Sequence, residues 1–312
     1  MPKAIVTGGA GFIGSFVVDN LIDKNFDVFV IDNLSTGNVG NLNKKIFKNR
    51  KFYFNNILNE EISEIFAKER PNYVFHLAAQ INVRKSIKDP IEDSKTNILG
   101  SLNILNCCVK SGVEKIIFSS SGGAIYSDGC KIPSSELEEE SPMSPYGIAK
   151  LSVEKYLEFY KNVHGLDYVS LRYSNVYGPR QNSGGEAGVV SIFINKILSG
   201  KNPLINGSGE QTRDYIFVKD VSDANIMALN LSGIFNVGTG KETSVNELFK
   251  KIAYEMNYNQ GEVHGPEING EIMTSCLDAG KLRSQGWSPK YDLDSGLKET
   301  INYFKELKLS HL

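Results

Sequence analysis

The sequence is poor in several features that would mark other kinds of protein. It has one tryptophan, four cysteines and four histidines among 312 residues. Cys107, Cys108, Cys130 and Cys276 show no metal-ligand spacing, and His76, His164, His264 and His311 are scattered. No metal site or disulfide framework is expected, and a reduced, cytoplasmic setting is the simplest reading. Neither charge sign dominates: 34 basic against 36 acidic residues leave a formal charge of −2. That balance gives no support for a nucleic-acid partner. The basic run over residues 44–51 and the acidic run over 134–140 both read as solvated loops. No apolar run approaches the roughly 20 residues of a membrane span, and the first apolar stretch is too short for a signal peptide. No internal repeat is visible. What remains is an ordinary globular composition, 41% hydrophobic and 22% charged, with ample length for a core.

The first half of the chain alternates strand and helix. Strands are expected at 4–7, 27–31, 51–54, 72–76, 115–118 and 168–171, where short apolar or β-branched runs meet turn residues. Helical periodicity is expected at 11–21, 60–70, 94–111 and 145–164, with Gly112 and Gly165 just past the last two as C-caps. Repeated units of this kind predict a doubly wound parallel α/β sheet covered on both faces. After about residue 174 glycine, asparagine and proline become frequent and the elements shorten. A smaller, mixed C-terminal part is expected there, laid over the carboxyl edge of the sheet, where ligands bind in such folds.

The first strand ends in Thr7-Gly-Gly-Ala-Gly-Phe-Ile-Gly14, which then opens the first helix. Glycines at 8, 11 and 14 permit a tight turn, the approach of a pyrophosphate to backbone N–H groups, and close helix–strand packing. The helix N-terminus adds a field that favours the anion. Asp32 ends the second strand, 18 residues after Gly14. A carboxylate there accepts hydrogen bonds from an adenosine ribose and repels a 2′-phosphate, so NAD is favoured over NADP. The following Asn33-Leu-Ser-Thr-Gly37 supplies no arginine to pair with such a phosphate.

Tyr146 and Lys150 stand four apart on the expected helix 145–164 and share a face. A phenol with a pKa near 10 is a poor base at neutral pH, and an adjacent ammonium lowers that value. Together they make a base able to take a proton from an alcohol.

These stretches, with His76-Leu-Ala-Ala79, Ser119-Ser-Ser-Gly-Gly-Ala-Ile-Tyr126, Leu171-Arg-Tyr-Ser-Asn-Val-Tyr-Gly-Pro-Arg180, Gly207-Ser-Gly-Glu-Gln-Thr-Arg-Asp-Tyr215 and Phe235-Asn-Val-Gly238, resemble the extended short-chain dehydrogenase/reductase family. Within it, the match is to the nucleotide-sugar 4-epimerases of the UDP-galactose 4-epimerase type, and it runs in order over nearly the whole chain. The resemblance implies a Rossmann NAD-binding domain over 1–174 plus 215–239 and a nucleotide-sugar-binding domain over 175–214 plus 240–312. It implies that Gly8, Gly11, Phe12, Ile13 and Gly14 hold the pyrophosphate and that Asp32 and Asn33 hold the adenosine ribose. Asn56 and Ile57 lie near the adenine. Leu77, Ala78 and Ala79 line the cofactor's path, and Lys150 holds the nicotinamide ribose. Tyr146 is the base. Ser121, or Ser120 in the other register of a loop one residue longer than in many epimerases, hydrogen-bonds the reacting sugar oxygen; relatives with Ser-Thr-Gly-Gly-Ala-Ile-Tyr favour Ser121. Asn175 and Arg213 grip the diphosphate of a UDP-sugar, and a homodimer forms through the helices 94–111 and 145–164. Asn97 is expected to be a structural or cofactor-side polar group.

Departures from the family pattern bear on the reaction. Related 4,6-dehydratases carry an Asp-Glu pair just after their serine or threonine, and UDP-glucuronate decarboxylases a glutamate; here the residues are Gly122 and Gly123. Without those carboxyl groups elimination has no evident acid and base, which leaves isomerisation at carbon 4 as the simplest reaction. The alternatives are another nucleotide-sugar enzyme of the superfamily (dehydratase, decarboxylase or reductase) or a non-catalytic NAD-binding sensor. Asn56 replaces a usual aspartate, and Ile268 stands where an arginine commonly reaches the diphosphate. Ser275 falls where a side chain borders the sugar's 2-position, and its small size suggests room for an N-acetyl group.

Overall fold

The computed structural model describes residues 1–126, 129–182, 188–267 and 272–309. They form two compact units. The first comprises Met1–Ile125, Glu140–Arg172 and Ser222–Phe235; the second comprises Tyr126–Glu139, Tyr173–Val221 and Asn236–Leu312.

The seven-stranded sheet takes β1 (Lys3–Thr7), β2 (Asp27–Asp32), β3 (Phe52–Phe54), β4 (Tyr73–His76), β5 (Lys115–Ser121) and β6 (Asp167–Tyr173), with Gly233–Val237 as its last strand in sequence. Its spatial order is Gly233–Val237, β6, β5, β4, β1, β2, β3. The pairs β1–β2, β1–β4, β2–β3 and β4–β5 are all parallel. This is the doubly wound arrangement expected from the alternation. The strand order reverses between β1 and β4, and the crevice outside the carboxyl ends of those two strands is the natural ligand position. Ile5, Ile31, Val74 and Ile116 are buried with Phe66, Ile104 and Leu157 from the covering helices.

Helices Phe12–Asp23 and Pro145–His164 lie where periodicity put them. Two elements differ from expectation. The helix expected from residue 94 begins at Pro90, capped by Asp89, whose side chain accepts from the Glu92 N–H. It then runs through a π-turn at Lys95–Leu99 before the α-helix Gly100–Ser111. The expected range thus covers both the π-turn and the α-helix and omits only the opening turn, which starts at Pro90. The basic run is not a plain loop either: Lys44–Lys48 is a short helix whose Ile46 is buried and whose cap is Asn43. Glu140, at the end of the acidic run, is tied to Arg172 and Lys155 rather than simply solvated.

In the second unit, Asn175–Tyr177 pairs in parallel with Tyr215–Phe217. A three-stranded sheet has Thr212–Arg213 between Thr243–Ser244 and Thr274–Ser275. Its core gathers Phe193, Ile194, Phe217, Leu248, Ile252 and Ile301. Among the described residues no helix is long and apolar enough to cross a membrane.

Candidate active site

The glycine turn shows why side chains are excluded from it. Gly8 sits at φ +70°, and a Cβ there would lie 2.6 Å from the Ala78 nitrogen. A Cβ on Gly14 would lie 2.1 Å from the Gly8 carbonyl oxygen. The Gly8 N–H donates to Ile31 O, and the Gly11 N–H to Gly8 O. Gly11 is the N-cap of the helix Phe12–Asp23 and has no side chain to satisfy its first N–H groups. Phe12, Ile13 and Gly14 thus head a helix whose N-terminal donors favour an anion. The cradle fits a dinucleotide pyrophosphate.

Asp32 closes this turn from β2. Its two carboxylate oxygens accept from the Ala10 N–H at 2.9 Å and the Leu34 N–H at 2.8 Å. Burial raises its pKa, and the two backbone donors work against that rise. Asn33 beside it is exposed. Asn56 turns its carbonyl oxygen to the Leu58 N–H at 3.0 Å, and Ile57 is buried. Leu77 and Ala78 leave β4 beside the turn: Leu77 N–H donates to Thr7 O, and Ala78 N–H to Thr7 Oγ1. Ala79 follows, half-buried.

A directional hydrogen-bond chain fixes this edge. Ser101 Oγ donates to Asn97 O at 2.6 Å, so it accepts from His76 Nε2 at 2.9 Å. The imidazole proton is therefore on Nε2, and Nδ1 accepts from Thr7 Oγ1 at 2.7 Å. Burial first, and the Lys150 charge second, lower the His76 pKa to about 3, so the ring is neutral.

The base pair lies on the helix Pro145–His164. Ser144 caps its N-terminus through Gly147 N–H, and the Tyr146 N–H donates to Ser86 Oγ at 3.2 Å. A Cβ on Gly147 would lie 2.2 Å from the Ala124 carbonyl oxygen. That close approach brings the first turn of the helix against Gly122–Ile125, the short helix directly after Ser121. Ser121, at the end of β5, is half-buried. Ser120 is 3% exposed, and its hydroxyl has no partner among the described residues. Tyr146 is half-buried, whereas Lys150 is 4% exposed. Lys150 Nζ donates to Ser119 O at 2.7 Å and lies 4.7 Å from the Phe118 ring centre and 5.7 Å from that of Tyr146. Burial lowers its pKa to about 8, against the opposing charges of Asp93 and Glu154.

In the second unit Arg213 and Ser275 are register partners in the three-stranded sheet. Asn175 pairs with Tyr215, two residues beyond Arg213, and its N–H donates to Asp214 O at 2.9 Å. Arg213 Nη1 donates to the carbonyls of Thr212 and Met273. Asp214 accepts from Thr239, Gly240 and Leu277, and Glu210 accepts from Asn246. Arg213 and Ser275 thus lie on paired strands, and Asn175 lies in a separate two-stranded sheet whose other strand starts two residues after Arg213. Ile268 lies outside the described residues.

A model of the NAD dependent epimerase/dehydratase family matches residues 4–238. The chain belongs to this family. It is 49% identical to a solved UDP-glucose 4-epimerase with UDP-glucose from Thermotoga maritima, covering 98% of this chain and 99% of that one with a TM-score of 0.94. A Thermus thermophilus UDP-glucose 4-epimerase in complex with NAD is 38% identical at TM-score 0.92, covering 97% and 99%. A UDP-N-acetylglucosamine 4-epimerase from Methanobrevibacter ruminantium, in complex with UDP-N-acetylmuramic acid, is likewise 38% identical at TM-score 0.92, covering 98% and 99%.

Asn97, expected as a structural or cofactor-side polar group, has a structural role: it is locked to Gln80 in both directions, Gln80 N–H to Asn97 Oδ1 at 2.8 Å and Asn97 Nδ2 to Gln80 O at 2.9 Å. Other buried polar groups around the pair were not foreseen. Asp93 completes that cluster. Glu154, one turn beyond Lys150, is buried against Arg172. An acid four residues after Lys150 was visible in the sequence, but nothing local told it apart from a solvated one.

Proposed function

We propose that the chain is an NAD-dependent isomerase that inverts carbon 4 of a UDP-sugar, interconverting UDP-glucose and UDP-galactose through a 4-keto sugar. The observation that carries this reading is the buried Lys150 ammonium behind the half-exposed Tyr146, beside the strand end that carries Ser121. Gly8, Gly11, Phe12, Ile13, Gly14, Asp32, Asn33, Asn56, Ile57, Leu77, Ala78 and Ala79 would hold NAD in the first unit, with Lys150 on the nicotinamide ribose. Bound NAD supplies a hydride acceptor that later returns the hydride.

The protein's own part is proton and position. Tyr146 takes the proton of the sugar 4-hydroxyl and later gives it back. Lys150 favours the phenolate. Ser121 holds the oxygen as it changes between alcohol and ketone. The ketone must turn over while the nucleotide stays held, so a strong diphosphate grip and a sparse sugar pocket suit the reaction. Asn175 and the Arg213 guanidinium, in the second unit, are assigned the grip. Gly122 and Gly123 offer no carboxyl group to carry the ketone on to dehydration.

A broader substrate range rests on Ser275. Its small side chain, opposite Arg213 in register, leaves N-acetylhexosamines acceptable, and the likeness to a UDP-N-acetylglucosamine 4-epimerase agrees. Turnover of UDP-glucose with none of UDP-N-acetylglucosamine would sink this part. We further assign the chain to a homodimer. Ile91 and Leu99 on one helix and Ile148, Phe159 and Val163 on Pro145–His164 are exposed apolar side chains suited to a four-helix contact.

A further inference from the structure

Asp93 belongs to none of the roles above. It lies in the helical turn Pro90–Ser94, which packs on the helix Pro145–His164. It is 1% exposed. Its Oδ1 accepts from Gln80 Nε2 at 2.8 Å and from Asn97 Nδ2 at 3.0 Å, both neutral amides. Its Oδ2 is buried and has no hydrogen-bond partner among the described residues. A buried carboxylate held only by amides, with one oxygen unpartnered, needs a nearby positive charge to stay ionised. Gln80 cannot let it swing away, because Gln80 Oε1 is itself held by the Asn82 N–H at 2.6 Å and Gln80 is locked to Asn97.

The charged and titratable groups around Lys150 leave Asp93 a distinct position. His76 of β4 is neutral. Tyr146 on the same helix presents its ring. Glu154, also on that helix, is consumed by Arg172 of β6 at 2.6 Å and by Ser170 Oγ at 2.8 Å, so its charge is largely answered. Burial raises the Asp93 pKa and the Lys150 charge works against that rise, while burial lowers the Lys150 pKa and the Asp93 charge works against that fall.

We infer that Asp93 is the buried counter-charge of Lys150, a positioning residue that keeps the lysine an ammonium ion behind Tyr146. It acts through Lys150 and touches no reacting atom. Its catalytic consequence rests on the epimerase reading; its electrostatic consequence does not.

The test has one arm without catalysis. The side chain of Lys150 is titrated by NMR in lysine-labelled full-length protein and assigned with Lys150→Arg. In Asp93→Asn, which keeps an acceptor for Gln80 and Asn97, the Lys150 midpoint should fall by roughly one pH unit, the scale of losing a nearby opposite charge. The reciprocal measurement follows the Asp93 carboxyl carbon in Lys150→Met, where its midpoint should rise. An unmoved lysine in a folded Asp93→Asn overturns the inference. Should that variant fail to fold, an unmoved Asp93 carboxyl in Lys150→Met overturns it. The second arm records kcat against pH with NAD and UDP-glucose. The basic limb should move down in Asp93→Asn by the same amount as the lysine, and a limb that stays put while the lysine moves overturns the catalytic part. Wild-type protein that turns over no UDP-sugar would refute the epimerase reading, with the NMR arm still deciding the role of Asp93.

Discussion

Lys150 is a cation that the fold buries beside a phenol, and burial alone works against its charge. Its usefulness depends on Tyr146 sitting one turn earlier, where the ammonium can answer a phenolate. Tyr146→Phe removes the proton acceptor and nothing else of size. Turnover should drop by roughly 10²- to 10⁴-fold with NAD binding and melting temperature unchanged, and retained activity would refute the base assignment. Asp32→Arg should weaken NAD binding roughly ten- to hundred-fold by titration calorimetry, since it removes both the carboxylate assigned to the ribose in our proposal and the clasp on Ala10. His76 makes a prediction about stability. In the unfolded chain its imidazole takes a proton near 6.5, whereas in the folded chain it does so only near 3. Between those values the unfolded state binds more protons, so stability falls as the pH drops. From neutral pH to pH 5 the loss from this residue should be about 2 kcal/mol by urea unfolding, and His76→Gln should flatten that part of the profile. Residues of this kind differ in how legible they are. The tight turn at Gly8 and Gly14, the place of Asp32 at a strand end and the position of Tyr146 beside Lys150 on one helix could be read because each is tied to local spacing. The tautomer of His76 could not, because Thr7 and Ser101 come from distant segments that only the fold brings together, and the burial of Asp93 could not, because nothing local set it apart from a solvated acid.

The helix Pro145–His164 is placed by two devices at the element scale. Gly147 lets its first turn reach the Ala124 carbonyl, and Glu154 anchors its middle to Arg172 on β6. Both partners of that ion pair are essentially unexposed. Arg172→Met would leave a buried carboxylate unanswered and should cost about 3–5 kcal/mol by denaturant unfolding. Arg172→Met combined with Glu154→Met should recover most of that loss; a double variant no better than the single one would contradict the pairing. The C-terminal bound of this helix was readable because Gly165 caps it; the structure shows Ser144 capping the other end. The helix before it was only partly readable. Its π-turn at Lys95–Leu99 carries the buried Asn97, and a one-residue insertion in the helical rhythm leaves no periodic mark. Six of the seven strands of the parallel sheet were legible, since each is a short apolar or β-branched run closed by turn residues; the seventh, Gly233–Val237, lies in the irregular second half and was not. The short strands Thr212–Arg213 and Thr274–Ser275 were not, because two residues carry no alternation.

At the scale of the whole molecule, the exposed apolar side chains of Pro145–His164 predict an assembly. Phe159→Glu should convert a dimer into a monomer by light scattering, while a wild-type chain that is already monomeric would refute the homodimer. The central claim is the reaction itself. It is tested most directly by incubating the full chain with NAD and UDP-glucose and following the products by proton NMR. UDP-galactose should appear and approach equilibrium with UDP-glucose, with no loss of water from the sugar and no accumulation of NADH. A dehydrated 4-keto sugar, or NADH formed in step with substrate consumed, would contradict it.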